Sequence, residues 1–120
     1  MSQLLVIDDE IATRRLVKFT LKSLQIEVEG AADGTTGLEM VQQTAFDLIL
    51  VDINLPDIDG FSLVQQLKTL VPAETPIIMF TARNNPDDEA YAQELGAANF
   101  MYKPFSTQEL RTIVSQYLSV

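Results

Sequence analysis

Acidic side chains follow two apolar segments of this sequence, at the point where each segment ends. Asp8, Asp9 and Glu10 come directly after LLVI, and Asp52 comes directly after LILV. If both segments are parallel strands of one sheet, these carboxylates lie close together, because ligands and polar groups gather outside the carboxyl ends of such strands. Clustered carboxylates repel one another, and a bound divalent cation removes that repulsion. Hard oxygen ligands in modest number suit Mg²⁺, so we predict a magnesium site.

A hydroxyl and an ammonium follow two further apolar segments. Thr81 comes after IIMF, and Lys103 comes after NFMY. Mg²⁺ keeps water-filled positions that can accept phosphoryl oxygens, while Lys103 supplies a charge for a phosphate and Thr81 a hydrogen-bond donor. A cation, phosphate ligands and a nucleophilic carboxylate together predict phosphoryl transfer to Asp52. Singly, each residue has a simpler explanation: Asp9, for example, could cap the first helix, as Asp59 is expected to cap the helix after Gly60.

The pattern of apolar residues predicts the sheet that this site needs. LLVI, LILV and IIMF are continuous apolar runs, typical of parallel strands covered on both faces. Residues 26–31 (IEVEGA) alternate like an edge strand, and residues 99–102 (NFMY) form a short opposite edge. Helical spacing between these segments, such as the face formed by Leu16, Val17, Leu21 and Leu24, completes an α/β pattern. An open parallel sheet with helices on both faces follows.

Composition excludes several other classes of protein. A chain of 120 residues is the size of one domain. The apolar runs are too short to span a membrane, and no signal peptide is visible. The absence of cysteine fits a reducing cytoplasm, and the absence of histidine excludes a phosphohistidine of the chain's own. The net charge of −9 argues against nucleic acid binding by this chain, and we interpret the basic residues 14–22 as a solvated helix face.

The separated motifs VIDDE, LVDINLPDIDG, MFTA and YKPF, in this order and spacing, resemble the receiver domain of two-component response regulators, particularly the single-domain chemotaxis type. The resemblance covers essentially the whole chain and implies one receiver domain over residues 1–120. It implies a flavodoxin-like, doubly wound, five-stranded parallel sheet in the order 2-1-3-4-5 with five helices. It also implies that the protein is cytoplasmic.

The same resemblance implies a role for each residue of the acidic site. Asp52 would be the phospho-acceptor, and Lys103 would contact the phosphoryl group. Asp8 and Asp9 match the family's acidic pair for Mg²⁺, which would also be bound by Asp52 and by the backbone carbonyl of Asn54. Such a protein is not an enzyme in the usual sense, because it catalyses its own phosphorylation and dephosphorylation without turning over a substrate.

Residues around this centre would carry the switch. Thr81 resembles the family's switch hydroxyl, while Asn54, Ala82 and Arg83 would flank the phosphoryl group. The family's mobile aromatic residue, often Tyr, is here Phe100. Because burying an aromatic ring is favourable by roughly 1.5–3 kcal/mol, we expect Phe100 to lie largely inward without phosphate. The family also has a cis peptide bond before its matching proline, Pro104 here.

Partners follow from the resemblance as well. A histidine kinase or a phosphotransfer protein would donate the phosphoryl group, and a downstream protein target would bind a surface on the fourth helix, last strand and last helix, around Tyr91, Tyr102 and Arg111. The last helix lacks the arginine-rich pattern of receivers that dimerise through this face. We therefore expect a monomer, with a dimer left open, and no binding of nucleic acid or membrane by this chain.

Two other classes use a similar fold. A phosphatase of the haloacid dehalogenase type also has a strand-end aspartate, but it needs a second aspartate where this chain has Asn54, and a cap domain for which 120 residues leave no room. A flavodoxin-like flavin carrier needs a Ser/Thr/Gly-rich phosphate loop after the first strand, where VIDDE would repel a phosphate. A flavoprotein would purify yellow, and a phosphatase would turn over a phosphate ester continuously.

Overall fold

The computed structural model describes residues 2–83 and 85–118, in which strands and helices alternate throughout. The strands are β1 (Gln3–Ile7), β2 (Glu27–Ala31), β3 (Leu48–Asp52), β4 (Ile77–Thr81) and β5 (Asn99–Tyr102). The helices are α1 (Ile11–Lys22), α2 (Gly34–Gln43), α3 (Gly60–Leu70), α4 (Pro86–Glu94) and α5 (Thr107–Tyr117). The alternation places four crossover helices and a final helix, α5, around one sheet, as the sequence pattern predicts.

All five strands are parallel and lie in the order β2-β1-β3-β4-β5, which confirms the predicted topology. β2 and β5 are the two edges, as their short or alternating sequences indicated. The register pairs Ile7 with Val51 and Asp52 with Phe80. The carboxyl ends of β1, β3 and β4 are therefore level with one another, and the residues that follow them share one edge of the sheet.

Apolar side chains fill both faces of the sheet, which explains the continuous apolar runs of the central strands. On one face, alternate strand residues such as Leu50 and Phe80 pack against α1 and α5. On the other face, their neighbours such as Val51 and Met79 pack against α2, α3 and α4. Among the described residues, no helix has the length and apolar character needed to cross a membrane.

Side-chain caps start four of the five helices. Asp59 accepts a hydrogen bond from the Phe61 amide at the start of α3, which confirms its predicted role as a cap. Asp33 caps α2, Asn85 caps α4, and Ser106 caps α5. The interpretation of Asp9 as a helix cap is wrong, because the N-cap position of α1 is Glu10 and has no side-chain cap.

The predicted buried face of α1 needs one correction. Val17 and Leu21 are fully buried and Leu24 is partly buried, but Leu16 is 36% exposed. Thr20 takes the remaining buried position of the helix. With about 100° between successive residues, the buried stripe follows positions 17, 20, 21 and 24 and leaves position 16 at its solvent margin.

Candidate phospho-acceptor site

The acidic cluster forms where β1 and β3 end side by side. Asp8 is fully buried directly after β1, Asp52 is the last residue of β3 and only 4% exposed, and Asp9 is exposed beside them. One carboxylate oxygen from each residue lies within 4.8 Å of the others. The structure thus brings together the three carboxylates that the sequence placed at one edge.

Lys103 reaches this cluster from the β5 edge of the sheet. It follows β5, and its bond to Pro104 is cis, as the resemblance implied. The Lys103 ammonium nitrogen lies 2.6 Å from Asp8 Oδ2 and 3.1 Å from Asp52 Oδ2, and its side chain is 12% exposed. It also lies 2.9 Å from Glu10 Oε1. One cation is therefore shared by three carboxylates, which lowers the cost of burying the two aspartates.

The surroundings raise the pKa values of both groups, for different reasons. Burial raises the pKa of the Asp52 carboxyl; the Lys103 charge opposes this shift, and the Asp8 charge adds to it. Burial alone would lower the pKa of Lys103, but its hydrogen bonds to Asp8 and Glu10 and the charge of Asp52 outweigh burial and hold the pKa well above its usual value. Lys103 is therefore a permanent cation beside the carboxylate.

The donor set fits a hard divalent cation. Three carboxylate oxygens from Asp8, Asp9 and Asp52 converge within 4.8 Å, and such oxygen ligands are those that Mg²⁺ prefers. Asn54 lies in the same loop as Asp52, and its amide N–H donates to Asp52 Oδ1 at 3.2 Å. This hydrogen bond holds the loop against the Asp52 carboxylate. A cation at this point would partly neutralise the repulsion among the carboxylates.

Thr81 occupies the neighbouring strand end, and it is fully buried. Its hydroxyl oxygen accepts hydrogen bonds from Asn54 Nδ2 at 3.4 Å and from the Arg83 amide at 3.1 Å. Ala82 is exposed between Thr81 and Arg83. Asn54 and Arg83, two of the three residues expected to flank a phosphoryl group, are thus joined through the Thr81 hydroxyl.

The Arg83 side chain is held by a residue of α4. Its Nε donates to Asp88 Oδ2 at 3.0 Å, and its Nη2 lies 2.9 Å from the same oxygen. Asp88 is buried, whereas the Arg83 side chain is 46% exposed. This pair ties the loop after β4 to the first turn of α4.

Phe100 lies partly buried, packed against the core on the α3 and α4 side of the sheet. Its ring centroid lies 5.2 Å from that of Tyr102, whose hydroxyl donates to Glu89 of α4 at 3.1 Å. The ring is therefore in contact with the core and is neither fully buried nor fully exposed. On the same face Tyr91 is 44% exposed, and its ring packs against Phe61 at 4.8 Å.

Sequence reasoning missed the contacts of four polar residues around the site, including Glu10, which it placed among the clustered carboxylates. Glu10 pairs with Lys103, and Asp88 holds Arg83. Arg14 was interpreted as part of a solvated face, but it is partly buried and donates to the Asp8 carbonyl at 2.8 Å. Asp57 bonds to the start of α2, as described below. These contacts join residues on different elements, and no local spacing in the sequence signals them.

Comparisons with known proteins agree with this geometry. A family model described as the response regulator receiver domain matches residues 4–115. The probable transcriptional regulator ycf27 of Cyanophora paradoxa is 36% identical over 116 residues, which cover 97% of this chain and 48% of that protein. This chain thus spans about half the length of the curated relatives it matches.

Solved structures share the whole fold. The chemotaxis response regulator CheY4 of Vibrio cholerae superposes with a TM-score of 0.91 at 34% identity, covering 98% of this chain and 99% of that one. A CheY-like receiver domain protein from Methanospirillum hungatei JF-1 gives a TM-score of 0.91 at 28% identity, covering 97% and 92%. With the family model matching most of its length, the chain belongs to the response regulator receiver domain family of two-component systems.

Proposed function

We propose that this chain is a phosphorylation-dependent signalling module in which Asp52 accepts a phosphoryl group from the phosphohistidine of a partner kinase or phosphotransfer protein. The observation that carries the proposal is the position of the Lys103 ammonium, within 3.1 Å of Asp52 and 2.6 Å of Asp8 at the carboxyl edge of the sheet. A buried carboxylate beside a fixed cation and two further acidic ligands is equipped for phosphoryl transfer.

In the reaction, an Asp52 oxygen attacks the phosphorus in line. The bond between phosphorus and the donor imidazole nitrogen breaks, and its electron pair returns to that nitrogen. Lys103 neutralises charge developing on the phosphoryl oxygens, and Asp8, Asp9, Asp52 and the Asn54 backbone carbonyl would hold Mg²⁺. When bound, Mg²⁺ supplies positive charge to the transferring oxygens. Later attack by water breaks the new phosphorus–oxygen bond and restores the carboxylate and free phosphate, so that the chain acts as an acceptor and not as a turnover enzyme.

The phosphoryl group would act on the surface through Thr81. A charge-assisted hydrogen bond from the Thr81 hydroxyl to a phosphoryl oxygen is stronger than its contacts with Asn54 and Arg83. Phe100 already contacts the core, so a small inward movement of its ring would complete the change in packing. The altered surface comprises α4, β5 and α5, around Tyr91, Tyr102 and Arg111, and a downstream protein target would bind there.

We further propose that residues 1–120 form one receiver domain that acts in the cytoplasm. The net charge of −9 supports a protein partner over nucleic acid for this chain. The α5 sequence supports a monomer, with dimerisation on phosphorylation left to experiment.

A transfer assay tests the proposal against the phosphatase alternative. The chain is mixed with a small acyl phosphate donor and Mg²⁺, and with a chromogenic phosphate ester in a parallel reaction. We expect labelling that stops at one phosphate per chain and no continuous release from the ester. Sustained turnover of the ester would contradict the proposal.

A further inference from the structure

Asp57 joins the loop after β3 to the beginning of α2. Its Oδ1 accepts a hydrogen bond from the Gly34 amide at 2.9 Å. Its Oδ2 accepts from the Thr35 amide at 2.8 Å and from the Thr35 hydroxyl at 2.6 Å. Both carboxylate oxygens are thus used by a helix 22 to 23 residues away in sequence.

Asp57 does not replace the helix's own cap. Asp33 occupies the N-cap position of α2 and accepts from the Thr36 amide at 2.8 Å. The first two amides of the helix are left to Asp57, so the unpaired N–H groups of the first turn are divided between the two carboxylates. α2 needs this support, because Gly34, Thr35 and Thr36 are weak helix formers.

The anchored loop is also the loop that carries the candidate site. Asn54, three residues before Asp57, donates its amide to Asp52 and its side chain to Thr81. Next to Asp57, a methyl group of Ile58 occupies the space that a side chain at Gly34 would need. At the far end of the loop, a side chain at Gly60 would meet the Asp52 carbonyl oxygen at 2.5 Å. The loop is therefore held at Asp52, at α2 and at the start of α3.

We propose that Asp57 is a positioning residue for the cation site: by anchoring the loop on α2, it keeps Asn54 where its backbone carbonyl can complete the ligand set. This inference rests on the proposed function. Removing the anchor leaves the three carboxylates in place but lets the loop sample other positions, which raises the conformational entropy cost of binding the cation. Mutation of residues that orient metal ligands without binding the metal themselves typically weakens metal affinity about 10-fold to 100-fold.

A matched pair of variants separates this role from simple helix capping. Asp57→Ala removes the loop anchor together with two amide contacts of α2, whereas Asp33→Ala removes only the helix's own cap. The Mg²⁺ dissociation constant of each full chain is measured by calorimetric titration, and unfolding by urea is followed in parallel. Asp57→Asn, which keeps one acceptor oxygen, provides a variant with less damage to the fold.

We expect Asp57→Ala to weaken Mg²⁺ binding about 10-fold, with Asp57→Asn between it and the wild type. Asp33→Ala should leave the dissociation constant within about twofold of the wild-type value, although it also destabilises α2. Labelling by an acyl phosphate should need more Mg²⁺ in Asp57→Ala but approach the wild-type rate at saturation.

Equal weakening by Asp33→Ala and Asp57→Ala would overturn the inference, as would unchanged Mg²⁺ affinity in both Asp57 variants. Either result leaves the proposed function intact, because the wild-type chain still binds Mg²⁺ and accepts phosphate. Failure of the wild-type chain to bind Mg²⁺ would instead refute the proposed function and this inference together.

Discussion

Replacing Asp9 by asparagine should make the metal-free protein more stable and the magnesium-bound protein less so. Asp9 contributes one of the three carboxylates that lie within 4.8 Å of one another. Among the described residues, the ion pairs of Lys103 go to Asp8, Glu10 and Asp52, so Asp9 is the member of the cluster without a direct ion pair. Its negative charge therefore costs free energy until a cation binds.

The distances set the size of the effect. Two unit charges 4.8 Å apart repel by about 0.9 kcal/mol at the dielectric constant of water, and Asp9 is exposed enough for that limit to apply. Two such repulsions, offset in part by attraction to Lys103, give a net gain of about 1 kcal/mol for Asp9→Asn. For a domain of this size that gain corresponds to a rise in melting temperature of about 3–6 °C.

Magnesium should reverse the order of stability. At a Mg²⁺ concentration 100 times its dissociation constant, the wild-type protein gains about 2.7 kcal/mol. If loss of a ligand weakens binding about 10-fold, the variant gains only about 1.4 kcal/mol, which is about 1.3 kcal/mol less than the wild type. The apparent advantage of Asp9→Asn in chelator is thereby lost or inverted.

Thermal and urea unfolding, each with chelator and with Mg²⁺, measure the stability of the wild type and of Asp9→Asn with and without the cation. Glu74→Gln is the matched control, because it removes one negative charge from an exposed loop after α3. The reasoning is refuted if Asp9→Asn is no more stable than Glu74→Gln in chelator. It is also refuted if Asp9→Asn, like the control Glu74→Gln, gains as much stability from Mg²⁺ as the wild type.

Three further outcomes follow from the contacts around the site. Because Asp88 holds the Arg83 guanidinium, Asp88→Asn should change the rate of acyl phosphate loss at least about twofold. The same substitution should have no effect on that rate in an Arg83→Ala background, and an equal effect in both backgrounds would show that Asp88 does not act through Arg83. Gly37→Ala should destabilise the protein by about 1 kcal/mol in urea unfolding, because the added Cβ would lie 2.5 Å from buried Ile7. This overpacking outweighs the gain in helix propensity, and a more stable variant would contradict the close packing. Hydrogen bonds from Thr35 and Gly34 hold the pKa of Asp57 down at about 2, so its contribution to stability is complete above about pH 4 and is lost as the pH falls toward 2. The difference in unfolding free energy between the wild type and Asp57→Ala should therefore shrink as the pH falls from about 5 toward 2. A difference that stays constant would show that the ionised form of Asp57 does not stabilise the fold.

Much of the fold and the centre of the site could be predicted because their signals are local. An apolar run followed at once by a carboxylate, hydroxyl or lysine places that group at the end of a buried strand, and the parallel topology then gathers those groups. Asp8, Asp52, Thr81 and Lys103 were all found in this way. The edge strands could be recognised because one alternates and the other is short.

The remaining features depend on which side chains meet across the fold. Asp57 and Asp88 are ordinary surface acids in the sequence, and only the packed structure shows their partners. Only the structure shows that Glu10, a member of the predicted acidic cluster, pairs with Lys103. Glycine is a weak helix former, yet the lack of a side chain at Gly37 lets α2 approach Ile7 closely. A pattern of residue types does not contain the distance between two elements, so it cannot distinguish a weak helix position from a required contact.

The central claim, that Asp52 is the phospho-acceptor, is tested most directly by locating the phosphate. The wild-type chain and Asp52→Asn are incubated with Mg²⁺ and a small acyl phosphate donor, and the mass of each intact chain is measured by mass spectrometry. The acyl phosphate is then trapped by reduction, and the chain is sequenced to locate the modified residue. We predict one phosphate per wild-type chain, at Asp52, and none on the variant. Stoichiometric labelling of Asp52→Asn, or a phosphate mapped to another residue of the wild-type chain, would contradict the account.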